Sequence, residues 1–115
     1  MEIRQYEIWL ADLNPRVGTK PGKTRPVLVV QTDLLNQVLH PSTLICPITS
    51  TVSEKSEVLR VHLKKGMANL PQECDILMDQ LRAIDNRRLM KKIGILPDTA
   101  ITATRKNLKI VLDLD

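Results

Sequence analysis

The sequence predicts one mainly β domain spanning residues 1–115, a partly open barrel with a single C-terminal α-helix. Three observations carry that reading. Two apolar runs, Pro26–Gln31 and Thr43–Thr49, are continuous and rich in β-branched residues, as strands buried on both sides are. Turn-forming residues recur at short intervals. Helical spacing of apolar residues appears only at the C-terminal end, which argues against alternating strands and helices around a parallel sheet.

Taken in order, residues 6–13 (Tyr-Glu-Ile-Trp-Leu-Ala-Asp-Leu) are mostly apolar and end at Asn14-Pro15, so they read as the first strand. Residues 14–25, NPRVGTKPGKTR, hold two Pro, two Gly, four positive charges and no acid. They read as a long, exposed cationic loop, and long loops in small domains are usually functional. Pro26 suits only the first position of the strand that follows. Asp33 to Pro41 is polar enough for a short helical turn and loop. A second buried strand covers Thr43 to Thr49, and a polar stretch runs from Ser50 to Ser56. Leu59, Val61 and Leu63 then alternate with Arg60, His62 and Lys64, predicting a strand with one wet face. Asp75 to Asp85 reads as one further strand, long enough to bend. Asn86 to Lys92 reads as a basic turn or short helix, and Ile93 to Leu96 as a short strand. Pro97-Asp98-Thr99 opens a helix whose apolar face is Ile101, Thr104, Leu108, Val111 and Leu112.

Seventeen Lys and Arg against thirteen Asp and Glu give a net charge of +4, which permits an anionic partner without requiring one. Cys46 and Cys74 form no CxxC pair and read as buried, idle thiols of a reducing compartment. No apolar stretch reaches the ~20 residues that span a bilayer, and Met1-Glu2-Ile3-Arg4 does not read as a targeting segment, so the expected location is the cytoplasm. His40 precedes a proline in a loop and His62 lies on a strand's polar face, so both read as surface histidines. Tyr6 and Trp9 are the only aromatics, and packing in the first strand is their expected duty.

Four segments occur in sequence order: Glu7-Ile8-Trp9-Leu10 with Asp12-Leu13-Asn14-Pro15, Gly22-Lys23-Thr24-Arg25-Pro26-Val27, Pro47-Ile48-Thr49-Ser50, and Asp79-Gln80-Leu81-Arg82-Ala83-Ile84-Asp85. Together they resemble the MazF/PemK/Kid family of toxin endoribonucleases. The resemblance implies an SH3-like barrel that forms a homodimer, cuts single-stranded RNA (mRNA) at a short motif, and is inhibited by a cognate MazE-like antitoxin. It also implies that Arg25 and Thr49 are the catalytic pair, with Lys20, Lys23, Thr24, Ser50, Gln80 and Arg82 as RNA contacts.

The chemistry suits those residue types. Attack by the RNA's own 2'-hydroxyl on the neighbouring phosphorus expels the 5'-oxygen, leaving a 2',3'-cyclic phosphate and a 5'-hydroxyl end. The enzyme must mainly stabilise an anionic pentacoordinate phosphorus. A guanidinium offers fixed donors to phosphate oxygens, and a threonine hydroxyl adds one more. Neither a metal nor another cofactor is expected, since no metal-ligand spacing is present. Arginine stays protonated near neutral pH, so Arg25 reads as an electrostatic clamp, and the general base is left open. Asp79 is the candidate carboxylate, although strand alternation sets it on the face opposite Gln80 and Arg82. The loop departs from the family pattern at Gly18-Thr19-Lys20-Pro21, where a lysine stands in place of an acid. That favours a phosphate grip by Lys20 and Lys23.

Two other readings stand beside this one. The same barrel could serve as a non-enzymatic RNA-binding module, or as a gyrase-poisoning toxin of similar fold. The gyrase poisons work through a C-terminal tryptophan, whereas this chain ends Val111-Leu112-Asp113-Leu114-Asp115 and has its one tryptophan at position 9.

Overall fold

The computed structural model describes residues 2–13, 23–53 and 59–115. Among them are seven antiparallel strands and two α-helices: β1 (Glu7–Asp12), β2 (Thr24–Val29), α1 (Asp33–Gln37), β3 (Ser42–Thr49), β4 (Arg60–Leu63), β5 (Cys74–Leu77), β6 (Arg82–Asp85), β7 (Leu89–Ile95) and α2 (Asp98–Val111). The sheet runs in the order β4-β5-β3-β2-β1-β7, and β6 pairs with β3 off that path. It is an open sheet with one C-terminal helix, as the partly open β fold requires.

The central strands are apolar throughout because both of their faces are covered. Leu28, Cys46, Ile48 and Ile8 point into one core with Val61, Leu63, Ile76, Met78, Leu96 and Ala100. Val27, Val29, Ile45, Trp9 and Ala11 point into another with Ile3, Leu13, Ile84 and Leu89. Trp9 is packed as expected, 5% exposed. Both cysteines are buried free thiols, and burial, with the nearby Asp79 carboxylate adding to it, pushes Cys46 up to about 12.

Four boundaries differ from those expected, each for a local reason. The expected strand Asp75–Asp85 is two strands, β5 and β6, separated by a 3-10 turn at Met78–Gln80. Met78 is fully buried in the same core as Ile76, and the chain turns there instead of continuing β5, leaving Asp79 and Gln80 exposed. The strand expected at Ile93–Leu96 begins at Leu89, and the basic segment before it contracts to a 3-10 turn, Asn86–Arg88, capped by the Asp85 carboxylate on the Arg87 amide. Pro26 stands third in β2, not first. On α2 the buried residues are Ala100, Thr104 and Asn107, with Ile101, Ala103, Leu108 and Val111 partly buried beside them. Leu112 is 49% exposed because the helix has ended at Val111 and the chain turns away through Asp113, whose φ is 53°.

One close approach braces the site. The Ala68 carbonyl lies where a Cβ on Gly94 would be, so the turn carrying Leu70 can seat directly on β7. Asn69 Nδ2 donates to the Ile93 carbonyl and reinforces the seat.

Candidate functional site

A fork in the sheet opens a groove between β2 and β3. The β2–β3 ladder runs Val29↔Ile45, Leu28↔Cys46, Val27↔Pro47 and stops there. Upstream, Thr24 and Arg25 remain paired with β1, while downstream Ile48 and Thr49 pair with β5. The two strands therefore diverge. The proline at position 26 explains where. The Val29 carbonyl accepts from the Tyr6 amide on the β1 side and the Val30 amide donates to Leu44 on the β3 side, so alternation turns Pro26 toward β3. Lacking an N–H, Pro26 offers no donor to Ile48, the next position in register, and the ladder ends. Pro47 sits at a second junction, where β3 leaves β6 at Ile45↔Arg82 and takes up β5 at Ile48↔Ile76.

The resulting groove, about 300 Å³, is lined by Lys23, Thr24, Arg25, Pro26, Ile48, Thr49, Ser50 and Thr51, and closed on its far wall by Leu70, Pro71, Gln72 and Cys74. Continuing the β2–β3 register by two residues sets Arg25 across from Thr49. A second groove, about 370 Å³, is lined by Leu13, Arg25, Pro47, Gln80, Leu81 and Arg82. Arg25, half-buried, borders both.

Most of the residues singled out from sequence are thus brought together. Lys23, Thr24, Arg25, Thr49 and Ser50 share the first groove, and Gln80 and Arg82 meet Arg25 in the second. Asp79 lies exposed in the 3-10 turn beside Gln80 and lines neither groove. Lys20 lies outside the described residues, as do most of the cationic loop and the Gly18-Thr19-Lys20-Pro21 segment. Among the described residues no three of His, Cys, Asp and Glu are grouped so as to hold a metal ion.

The polar wiring adds partners that the sequence pattern does not give. The Thr49 hydroxyl accepts from the Thr51 amide at 3.1 Å. Arg82 and Arg88 both reach the Leu13 carbonyl, at 3.5 and 3.2 Å, and so brace the end of β1. The basic cluster of Arg87, Arg88, Lys91 and Lys92 is largely engaged inside the chain. Arg87 pairs with Asp85 at 2.9 Å, and Lys92 with the buried Glu7 at 2.7 Å. Burial alone would raise Glu7. The Lys92 ammonium, the Arg4 amide and the Trp9 indole N–H outweigh it and hold the carboxyl below its ordinary range.

Sequence reasoning missed Asp75. Its carboxylate is 2% exposed and accepts from the Ser53 amide at 3.0 Å, the Arg60 guanidinium at 3.1 Å and His62 Nδ1 at 3.0 Å. Burial pushes its pKa up, but those three donors together bring it below the ordinary value. His62 is therefore only half a surface histidine. Its other nitrogen faces Glu73 at 3.4 Å, and the bond to Asp75 raises its pKa against a smaller effect of burial. An acid between a cysteine and an isoleucine in a buried strand, opposite a histidine and an arginine two residues apart on the next strand, was the available signal. Reading it required the register His62↔Asp75. His40 lies apart from both grooves, with Nδ1 at 2.9 Å from the Ser42 carbonyl.

Residues 4–112 match the family described as PemK-like, MazF-like toxin of type II toxin-antitoxin system. Among solved structures, the fold is similar to the Mycobacterium tuberculosis toxin MazF-mt6, with TM-score 0.77 and 24% identity over 95% of this chain and 98% of that one. It is similar to a MazE-MazF structure from Deinococcus radiodurans at TM-score 0.82 and 21% identity, covering 100% of this chain and 99% of the other. An endoribonuclease from a mycobacterial species, solved with its cognate antitoxin, gives TM-score 0.76 and 13% identity over 99% and 96% of the two chains.

Proposed function

This chain belongs to the PemK-like, MazF-like family of toxins of type II toxin-antitoxin systems, and from that premise we propose that it is an endoribonuclease acting on single-stranded RNA. The observation that carries the reading is the position of Arg25, a guanidinium bordering two grooves at once. One groove holds Lys23, Thr24, Thr49 and Ser50, and the other Gln80 and Arg82. An RNA backbone laid through both places a phosphate at Arg25 and the flanking nucleotides against hydroxyl, amide and cationic side chains.

In this mechanism the 2'-hydroxyl of the substrate attacks the adjacent phosphorus and gives its proton to water, while the bond from phosphorus to the departing 5'-oxygen breaks and that oxygen takes a proton from water. Arg25 stabilises the phosphorane oxygens as charge builds on them. The Thr49 hydroxyl accepts from Thr51, which leaves its own proton available for a phosphate oxygen. Lys23 and Arg82 hold the backbone, while Gln80, Thr24 and Ser50 offer donors and acceptors to base edges and sugars. The protein works as a homodimer, and a cognate antitoxin blocks the grooves.

The experiment is cleavage of defined single-stranded RNA in excess chelator, with the fragments tested for ligation and phosphorylation. The expected result is cutting without added metal and 5'-hydroxyl ends. Strict magnesium dependence or 5'-phosphate ends would overturn the mechanism. Tight RNA binding with no cutting would leave the same barrel as a binding module only.

A further inference from the structure

We propose that Asp75 and Arg60 are positioning residues that set the Thr49 hydroxyl for RNA cleavage, an inference that rests on the reading of Thr49 as catalytic. The register places Thr49 opposite Asp75 and Asp75 opposite His62, so the three occupy one row across β3, β5 and β4. Directly opposed residues project from the same face of a sheet, and Arg60, two residues from His62, shares that face. Beyond β3 the chain passes over this row as Ser50 to Ser53, the first two residues of which line the groove shared with Arg25.

The bonds form a continuous path. The Thr51 amide donates to the Thr49 hydroxyl at 3.1 Å. The Thr51 carbonyl accepts from Arg60 Nη1, also at 3.1 Å, and the same nitrogen donates to Asp75 Oδ2. Asp75 Oδ2 also takes the Ser53 amide, so two points of the segment are held by one buried carboxylate and its arginine. On the far side Asp75 Oδ1 is held by His62 Nδ1. With the amide of residue 51 fixed, the hydroxyl of Thr49 is used as an acceptor in one direction, which biases its proton toward the remaining directions, the groove among them. A carboxylate 2% exposed and held by three donors is a rigid anchor, since movement away from them leaves a buried charge unpaired.

The variants are Asp75→Asn, which keeps size and loses charge, and Arg60→Met, which keeps the stem, loses the bond to Thr51 and leaves Asp75 held by Ser53 and His62. Single-turnover cleavage at saturating enzyme and RNA affinity are measured for each, alone and with Thr49→Val. Both variants should cut about 10-fold more slowly at unchanged RNA affinity, within the ~100-fold that an ångström of misplacement can cost. In the Thr49→Val background the further loss should vanish, because both act through that hydroxyl. Amide hydrogen exchange at Thr51 and Ser53 should quicken in Asp75→Asn and Arg60→Met, a readout that needs no activity. Equal losses with and without Thr49, or unchanged exchange at Thr51 in a folded Arg60→Met, would overturn the positioning role. If Thr49→Val itself cuts at the normal rate, the reading of the catalytic site fails. The exchange result then still decides whether the clamp exists.

Discussion

At Arg25 a half-buried guanidinium stands where two paired strands part, with no carboxylate among the described residues lining either of its grooves. A cation so placed is available to a phosphate. Arg25→Ala should lower single-turnover cleavage ~100 to 1000-fold, the range for removing one preorganised donor to a developing oxyanion. Thr49→Ala should cost less, since a neutral hydroxyl is the weaker donor. Lys23→Ala should instead weaken binding and reduce the salt slope by about 1, as loss of one phosphate contact does. Circular dichroism confirms folding, and wild-type turnover by folded Arg25→Ala would remove it from the mechanism. Arg25, Thr49, Gln80 and Arg82 were legible in the sequence because short motifs mark them. Asp79 shows the limit of alternation as a guide: the argument that set it opposite Gln80 assumes an extended chain, and that chain is a 3-10 turn. Asp75 was illegible because its meaning lies in partners 13 to 22 positions away, brought together only by the register of β4 with β5.

Among the elements, the β4–β5 pair is one place where charge and pH enter. His62 has its pKa raised above the ordinary 6.5, first by the bond to Asp75, with burial opposing and Glu73 assisting. Asp75 is lowered from 3.8, burial being outweighed by Ser53, His62 and Arg60. A raised histidine stabilises the fold fully below its unfolded value and loses that contribution as pH rises through the folded value. A lowered carboxyl contributes above its unfolded value and loses that as pH falls through the folded one. Both contributions are complete between roughly pH 4 and 6.5. The expected outcome is a thermal midpoint that falls less steeply above pH 6.5 in His62→Gln than in the wild type. The effect is modest because the imidazole is 43% exposed and screened by solvent. An identical alkaline decline in both proteins would dissociate His62 from stability. The same edge shows why elements were more legible than their ends. Alternation at Val61, His62 and Leu63 names a strand from the sequence alone, whereas the break at Met78–Gln80 interrupts a run in which Ile76 and Met78 still alternate onto the buried face, so the pattern gives no sign of it.

Over the whole molecule, the net charge of +4 is distributed unevenly once internal partners are counted. Arg4 pairs with Glu2, Arg60 with Asp75, Arg87 with Asp85 and Lys92 with Glu7, while Arg88 reaches the carbonyls of Asp12 and Leu13. In the basic run from Arg87 to Lys92, two of the four cations are thus offset by acids of the same chain. At the fork, Lys23 and Arg25 line one groove whose described lining residues include no acid. An acidic, extended antitoxin segment that neutralises the protein should seat there and exclude RNA by occupying the same cations. Competition binding with labelled RNA is the measurement: antitoxin should displace RNA, and Lys23→Ala should weaken both ligands together. Arg87→Ala should weaken neither, because that guanidinium is already engaged by Asp85. A ternary complex in which RNA keeps its full affinity would place the antitoxin elsewhere. Loss of antitoxin affinity in Arg87→Ala alone would mean that the partner breaks the Asp85 pair to reach this arginine.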